Sequence, residues 1–179
     1  MRGIVIFLSL TVLILLVACR TDSRRTLPTV ATVDLERYLG KWYEVARLPT
    51  PFQKEDEKAI AEYFPKLDGS IEVRNTAIAP DGEMRTASGT ATVVPGSGNA
   101  RLRVRFSGIA SLVPVSKQGN YWILALDPQY KFAMVGTPDR KYLWLLARDP
   151  DGTSGVVEGY LARAGKLGFP IEKVLRTEW

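Results

Sequence analysis

The sequence predicts an all-β domain, built as an up-and-down antiparallel barrel or as a sandwich, with one helix near its C-terminal end. Three observations predict this fold class. Eight short β-rich runs follow one another between residues 41 and 148, turn residues separate them at even intervals, and no long helical period interrupts them. Even spacing with hairpin connections is typical of antiparallel barrels and sandwiches.

Each predicted strand ends at residues that favour turns. Asp-Gly pairs follow the second and third runs, and a Pro-Gly-Ser-Gly-Asn segment follows the fourth. Gly and Asn tolerate the positive φ angles that tight hairpins require. A wider loop over residues 107–118 follows the fifth run. The eight predicted strands are residues 41–47, 58–64, 71–78, 83–94, 101–106, 121–127, 130–136 and 141–148.

Side-chain alternation indicates which strand faces are buried. Leu102, Val104 and Phe106 share one face of the fifth run, and arginines occupy the other face. In contrast, residues 121–126 and 142–146 are apolar on both faces. A strand that is buried on both faces needs a cover outside the sheet.

The segment after the eighth run is predicted to supply that cover. Apolar residues recur at helical spacing over residues 154–167, Ser154 is a suitable N-cap, and Gly168 is a suitable stop. Residues 171–175 are predicted as a short ninth strand. Residues 34–38, before the first run, are predicted as a short helical turn.

Composition restricts the chemistry that the chain can perform. The 179 residues include no histidine and one cysteine, which excludes histidine-based catalysis, histidine-ligated metals, intrachain disulfides and cysteine-cluster zinc sites. We therefore predict a binding protein rather than an enzyme, with no catalytic residue, no cofactor and no metal. The net charge is +5, and the basic residues are spread along the sequence without a run of five or more. We therefore expect no nucleic-acid partner.

The N-terminal segment predicts a lipoprotein signal peptide. Residues 4–17 form an apolar core that is shorter than the roughly 20 residues of a membrane span. The core ends at Leu16-Val17-Ala18-Cys19, which resembles a bacterial lipobox. The alternatives are an ordinary signal peptide with an incidental cysteine and an uncleaved anchor. The predicted segments are a signal peptide at 1–18, a lipidated tether at 19–30 and a folded domain at 31–179.

Lipidation of Cys19 predicts where the protein is held. Each buried CH₂ contributes about 0.8 kcal/mol, so two or three acyl chains hold a protein at a membrane. In lipoproteins of this type, an Asp after the lipidated Cys signals retention at the inner membrane, but Arg20 stands there. The resemblance therefore implies a lipid-anchored location at the outer membrane, on its periplasmic face.

Three motifs together resemble the conserved regions of the lipocalin family. Gly40-Lys41-Trp42 opens the first run, Asp127-Pro128-Gln129-Tyr130 joins the sixth and seventh runs, and Arg148 ends the eighth. They correspond to the G-x-W, T-D-x-x-Y and lone-Arg motifs of lipocalins, although Leu126 stands at the Thr position. The wider match covers about residues 33–175 and is closest to bacterial lipocalins related to apolipoprotein D.

The resemblance implies an eight-stranded antiparallel up-and-down barrel with a C-terminal helix packed on its outside. It further implies that Trp42 plugs one closed end and that the Arg148 guanidinium stacks over the indole. Gly40 then lets the N-terminal segment cross the barrel closely. The residues to which the resemblance assigns a structural role are Gly40, Trp42, Asp127, Tyr130 and Arg148.

A ligand cavity is also implied by the resemblance, whereas residue types alone favour a filled core. Strand parity from Trp42 predicts that Glu44 and Ala46 face inward, and parity along the eighth run predicts the same for Trp144 and Leu146. The predicted ligand-binding residues are Glu44, Tyr63, Asn75, Leu102, Val104, Phe106, Trp122 and Trp144.

Charged residues near the cavity allow two interpretations. A buried Glu44 either holds a polar head group or makes a hydrogen bond that supports the fold. Five arginines either surround the mouth of the barrel or lie on its solvated outer face, and parity favours the outer face for the last three. These arginines are Arg74, Arg85, Arg101, Arg103 and Arg105.

The sequence thus predicts a lipid-anchored lipocalin that binds and carries or stores a small lipophilic ligand, such as a fatty acid or lysophospholipid. Its predicted partners are that ligand and, through Cys19, the bacterial outer membrane. A homodimer is left open. The alternative functions are a structural or interaction lipoprotein with a filled barrel and, disfavoured by the absence of histidine, an enzyme with a lipocalin fold.

Overall fold

The eight barrel strands in the structure occupy the eight predicted runs, and their ends differ from the predicted ones by at most two residues. The structure is a computed structural model, and it describes residues 26–108 and 114–179. The predicted signal peptide and Cys19 lie outside the described residues. The elements are α1 Leu35–Tyr38, β1 Gly40–Arg47, β2 Lys58–Pro65, β3 Ile71–Ile78, β4 Met84–Val93, β5 Arg101–Phe106, β6 Tyr121–Leu126, β7 Phe132–Gly136, β8 Leu143–Ala147, α2 Ser154–Lys166, a 3₁₀ turn at Ile171–Lys173 and β9 Leu175–Arg176.

The barrel closes because β1 forms hydrogen bonds along both of its edges. Residues Gly40–Tyr43 of β1 pair with β2, and residues Tyr43–Arg47 pair with β8. The strands from β2 to β8 each pair antiparallel with their neighbours in sequence. This order confirms the up-and-down eight-stranded barrel and excludes the sandwich.

The ninth strand lies beside the barrel's first strand but not where it was predicted, because residues 171–173 form a 3₁₀ turn and the strand is Leu175–Arg176. β9 pairs with Ala46 and Arg47 of β1, at the point where β2 has already diverged from β1. Trp179 follows it, donates its indole N–H to the Glu44 carbonyl at 2.8 Å, and packs edge-on against Tyr43. β9 therefore fills the gap that the early divergence of β2 leaves.

Two separate apolar clusters stabilise the fold. The inner cluster fills the closed end of the barrel and includes Trp42, Tyr63 and Leu102. The outer cluster lies between the sheet and α2, and it includes Leu145 of the sheet and Leu161 of the helix. The predicted helical cover is confirmed, with one small difference: Thr153 is the N-cap and Ser154 is the first helical residue.

A β-bulge alters the predicted facing of β1. The register between β1 and β8 shifts between Glu44 and Ala46, so one extra residue is inserted there. Ala46 belongs to the outer cluster, so the prediction that it faces inward is wrong. After the bulge, Arg47 pairs with inward-facing Trp144 and lies on the inner face instead.

The N-terminal described residues are docked on the barrel. Leu27 is 2% exposed and belongs to the outer cluster, while the Val30 N–H donates to the Ile123 carbonyl at 3.0 Å. The predicted tether, residues 19–30, therefore extends too far toward the C-terminus, because Leu27 and Val30 already belong to the folded domain. Among the described residues, the helices are too short or too polar to cross a membrane.

Candidate ligand-binding site

One end of the barrel is closed by an indole beneath a guanidinium. Trp42 is fully buried, and its indole N–H donates to the Tyr38 carbonyl at 2.8 Å. The Arg148 guanidinium lies 3.9 Å from the centroid of the Trp42 ring system. A cation at this distance from an indole contributes about 0.5–2 kcal/mol. The stacking that the family resemblance implied is thus confirmed.

Arg148 also donates hydrogen bonds to backbone carbonyls of the segment that crosses the closed end. Its guanidinium donates to the carbonyls of Arg37 at 2.8 Å, Leu39 at 2.8 Å and Lys41 at 2.6 Å. The last carbonyls of a helix lack partners within the helix, so these contacts stabilise the end of α1. Gly40 has a φ of +88°, which glycine adopts without strain.

The Asp127–Tyr130 turn links the closed end to α1. The Asp127 carboxylate accepts from the backbone N–H of Gln129 at 3.0 Å and of Lys131 at 3.1 Å. The Tyr130 hydroxyl accepts from the Asp34 N–H at 2.9 Å, and the Arg37 guanidinium lies 4.1 Å from the Tyr130 ring centroid. These contacts are structural, as the resemblance implied.

Strand register divides the interior of the barrel, which we call the lumen, into levels between the closed end and the open mouth. Inward residues of β2, β3 and β4 that share a level are direct partners across the strands. From the closed end to the mouth, the levels are Tyr63–Val73–Gly89, Ala61–Asn75–Ala87 and Ala59–Ala77–Arg85.

Exposure increases steadily along the inward face toward the mouth. Tyr63 and Val73 are buried, Ala61 and Asn75 are half-buried, and Ala87 is exposed. Inward side chains reach solvent only where the lumen is open to water. Most of these wall residues are small.

The opposite wall shows the same gradient and carries larger apolar side chains. Along β5, Leu102 is 0% exposed, Val104 is 6% exposed and Phe106 is half-buried. Along β8, Leu146 is buried and Trp144 is half-buried. All five belong to or pack against the inner cluster, so the predicted inward facing is confirmed. Their contact with a ligand stays a prediction.

Trp122 does not face the lumen, so its predicted inward position is wrong. Its register partner is Arg101, whose guanidinium stacks 4.0 Å from the centroid of the Trp122 ring system, and Trp122 belongs to the outer cluster. Tyr121 pairs with inward-facing Leu102 and takes the inner position. The run is apolar on both faces, so residue types gave no indication of which face is inner.

Three tyrosine hydroxyls meet inside the lumen. The Tyr121 hydroxyl lies 2.7 Å from that of Tyr38 and 2.8 Å from that of Tyr63. We call these three side chains the tyrosine cluster. Burial raises the pKa of each hydroxyl, that of Tyr63 to about 12, so all three remain protonated at neutral pH. Only Tyr63 was predicted from the sequence.

A buried ion pair lies on the inner face of β1. The Arg47 Nε is 3.1 Å from Glu44 Oε1, and the Gln53 side-chain amide donates to the same carboxylate oxygen at 3.1 Å. Burial raises the pKa of Glu44 to about 7, although Arg47 and Gln53 both lower it. Glu44 was predicted to face inward, whereas Arg47 was missed because the bulge carries no sequence signal.

The loop between β1 and β2, residues 48–57, is attached to the mouth by further polar contacts. Glu57 accepts from the Arg85 guanidinium at 2.6 Å and from the Lys54 N–H at 2.9 Å, while Gln53 donates to the Glu57 carbonyl at 3.2 Å. The Arg85 guanidinium lowers the pKa of the Glu57 carboxyl. Of the five predicted arginines, Arg85 is therefore the one at the mouth.

A cleft of about 580 Å³ lies between this loop and the turn after β3. It is lined by residues 51–54 and Glu57 of the loop, and by Ala79, Glu83 and Arg85 on the opposite side. The cleft provides an approach to the mouth. Among residues 26–108 and 114–179, no three acidic or cysteine side chains cluster as metal ligands.

The closed end and the open mouth of the barrel agree with the protein family that the sequence matches. Residues 33–178 match the model described as a lipocalin-like domain. The chain belongs to the lipocalin family. Among curated relatives, this lipocalin is 35% identical to outer membrane lipoprotein Blc of Escherichia coli over 177 residues, which cover 98% of this chain and 96% of the relative. It is also 32% identical to mouse apolipoprotein D, covering 84% and 79%.

Solved structures show the same fold at lower identity. Insecticyanin from the tobacco hornworm superposes on this lipocalin with a TM-score of 0.60 at 19% identity, covering 87% of this chain and 85% of that one. Family membership and the outer membrane lipoprotein relatives support the binding of small hydrophobic ligands. They likewise support a lipid-anchored location at the outer membrane.

Proposed function

We propose that this lipocalin binds a single-chain amphiphile, such as a fatty acid or lysophospholipid, in its lumen and carries or stores it at the bacterial outer membrane. The observation that supports this most directly is the exposure gradient along the inward faces of β3, β4, β5 and β8. Phe106 and Trp144 face inward and are half-buried, whereas Leu102 is 0% exposed, so the apolar wall becomes accessible to solvent toward the mouth. This favours a lumen with room for a ligand.

The tail of the ligand lies along the apolar wall, and its head group stays near the mouth. Val104, Phe106 and Trp144 supply the apolar and aromatic surface. The small side chains of Ala61 and Ala87 face this wall from β2 and β4. Each buried CH₂ contributes about 0.8 kcal/mol, so the tail supplies most of the affinity.

Glu44 supports the fold in this proposal and does not bind the head group. Its carboxylate oxygen is already within hydrogen-bond distance of Arg47 and Gln53. Displacing these partners would leave a buried charge unpaired, which is unfavourable. The positive end of the mouth is instead the partly exposed Arg85, whose side chain is 51% exposed.

The anchor determines which ligands are available. We propose that Cys19 is lipidated and that the barrel is held at the periplasmic face of the outer membrane. Loaded and empty barrels then exchange ligand with the adjacent bilayer.

Tryptophan fluorescence tests the proposal because one indole faces the open half of the lumen. Titration of palmitic acid is expected to change the emission of the wild type, with calorimetry giving one site per chain. Trp144→Phe should abolish most of the change. Trp122→Phe is the matched control, since Trp122 lies in the outer cluster, and it should leave the change intact. No heat and no emission change at micromolar palmitic acid would reject the proposal.

A further inference from the structure

The tyrosine cluster has more hydrogen-bond donors than it uses. Its three hydroxyls carry three O–H donors, and the two contacts to Tyr121 use two of them. In the part of the chain that the structure describes, these hydroxyls bond only to one another. One O–H donor therefore remains for a group inside the lumen.

A second unused polar group lies one level nearer to the mouth. The side-chain Oδ1 of Asn75 is buried and, among the described residues, has no hydrogen-bond partner. Asn75 is two residues along β3 from Val73, the register partner of Tyr63. At about 3.3 Å per residue, the two levels are about 7 Å apart along the strand. A buried polar atom without a partner is unfavourable, so this one suits a ligand group.

Both polar groups lie well below the mouth. Arg85 occupies the mouth level of β4, and Gly89, four residues further along, occupies the level of Tyr63. The strand spacing places the Tyr63 level about 13 Å from the mouth level. Val104 and Phe106 make the wall beside them apolar. An amphiphile with its head group at the mouth therefore brings its mid-chain, rather than its head, to these groups.

We propose that the tyrosine cluster and Asn75 recognise a hydroxyl group within the acyl chain of the ligand. This inference rests on the proposed function and narrows the ligand to an oxygenated amphiphile. A chain hydroxyl accepts from the free O–H of the tyrosine cluster and donates to Asn75. A plain acyl chain leaves both protein groups desolvated and unpaired, which weakens its binding.

Ricinoleic acid and oleic acid are suitable probes, because they differ by a single hydroxyl near the middle of the chain. Calorimetric titration of the full chain is expected to show ricinoleic acid binding at least about fivefold more tightly, since one additional hydrogen bond contributes about 1 kcal/mol. Asn75→Ala should reduce this preference to about twofold or less, because it removes the buried acceptor, and it should not weaken the binding of oleic acid, which has no chain hydroxyl to donate to Asn75. Tyr43→Phe is the matched control on the outer face and should keep the preference.

The outcomes separate this inference from the proposed function. Equal affinities of the wild type for the two acids would overturn the inference and leave the proposed function standing. Undetectable binding of both acids would overturn both. If Asn75→Ala does not fold, as thermal unfolding would show, Asn75→Leu removes the same acceptor at this half-buried position while keeping the side-chain volume. A preference that survives in the folded variants would also overturn the inference.

Discussion

The two ends of the barrel are held by different kinds of interaction. At the closed end, the Trp42 indole is fully buried, and the Arg148 guanidinium that stacks over it donates to four neighbouring carbonyls. At the mouth, the loop of residues 48–57 is held by the hydrogen bond from Gln53 to Glu44 and by the ion pair Glu57–Arg85. Packing is nearly independent of pH and salt, whereas ion pairs are not. We therefore expect the closed end to stabilise the fold and the loop at the mouth to open more readily.

The largest effect is expected from removing the indole at the closed end. Trp42→Ala should lower the free energy of unfolding by about 3–5 kcal/mol, because it leaves a cavity in the inner cluster. Trp144→Ala removes the same side chain from the open half of the lumen, where it is half-buried, and should cost less. Urea unfolding of both variants measures the difference. Equal losses would contradict the contrast between the two ends.

Arg148 should have the next largest effect. Arg148→Ala removes charged hydrogen bonds to several carbonyls and the contact with Trp42, at an expected cost of about 2–4 kcal/mol. Arg148→Lys retains the charge but loses the planar guanidinium with its several N–H donors. Its stability should therefore lie between that of the wild type and that of Arg148→Ala. Arg105→Ala, at an exposed outward arginine, should change stability by less than about 0.5 kcal/mol. A small loss in Arg148→Ala would show that the cap is not structural.

At the mouth, stability should depend on pH through Glu44. Its pKa is about 7 in the folded protein, against an ordinary value of 4.5. Between these values the folded state binds a proton that the unfolded state has released, so stability should rise as the pH falls from about 7 toward 4.5. One pKa unit corresponds to about 1.4 kcal/mol, so the difference between 4.5 and about 7 corresponds to a total effect on the order of 3 kcal/mol.

Glu44→Gln isolates this contribution. The amide does not titrate, so urea unfolding of the variant between pH 5 and pH 8 should show a flatter dependence than the wild type. Three carboxyls with lowered pKa values, Glu57, Asp68 and Asp139, lose stabilising charge only at more acidic pH. An unchanged slope in Glu44→Gln would exclude Glu44 as the source.

The smallest change in stability is expected for the outermost ion pair at the mouth. Glu57→Gln should weaken the attachment of the loop to Arg85. Its main effect should be faster entry of the ligand, which stopped-flow fluorescence with palmitic acid measures. Glu72→Gln is the matched control, because Glu72 pairs with Arg74 on the outer face. Faster entry in both variants, or in neither, would contradict a gating role for this loop.

Much of the fold followed from the sequence, because strand and turn chemistry are local. The strands predicted at 71–78 and 101–106 have the observed bounds. The seventh strand was predicted to begin at Tyr130 but begins at Phe132, because Tyr130 adopts a φ of +60° within the turn that Asp127 stabilises. Such a conformation depends on tertiary contacts that residue types do not reveal.

The candidate site was less predictable because it depends on which face of each strand points into the lumen. A bulge in β1 reverses the parity of Ala46 and Arg47, and a strand that is apolar on both faces concealed which of Tyr121 and Trp122 points inward. The tyrosine cluster also includes Tyr38, which comes from α1 rather than from a strand. No periodicity relates residues 38, 63 and 121, so their meeting requires the closed barrel.

The short strand β9 protects the barrel against association with other copies. Ala46 and Arg47 lie on an edge of β1 that β2 has left, and β9 pairs with their backbone there. An uncovered edge presents unpaired N–H and C=O groups, which serve as a template for aggregation with a neighbouring molecule. Truncation before Leu175 is therefore expected to leave the lumen walls intact but to expose this edge for pairing with a neighbouring molecule.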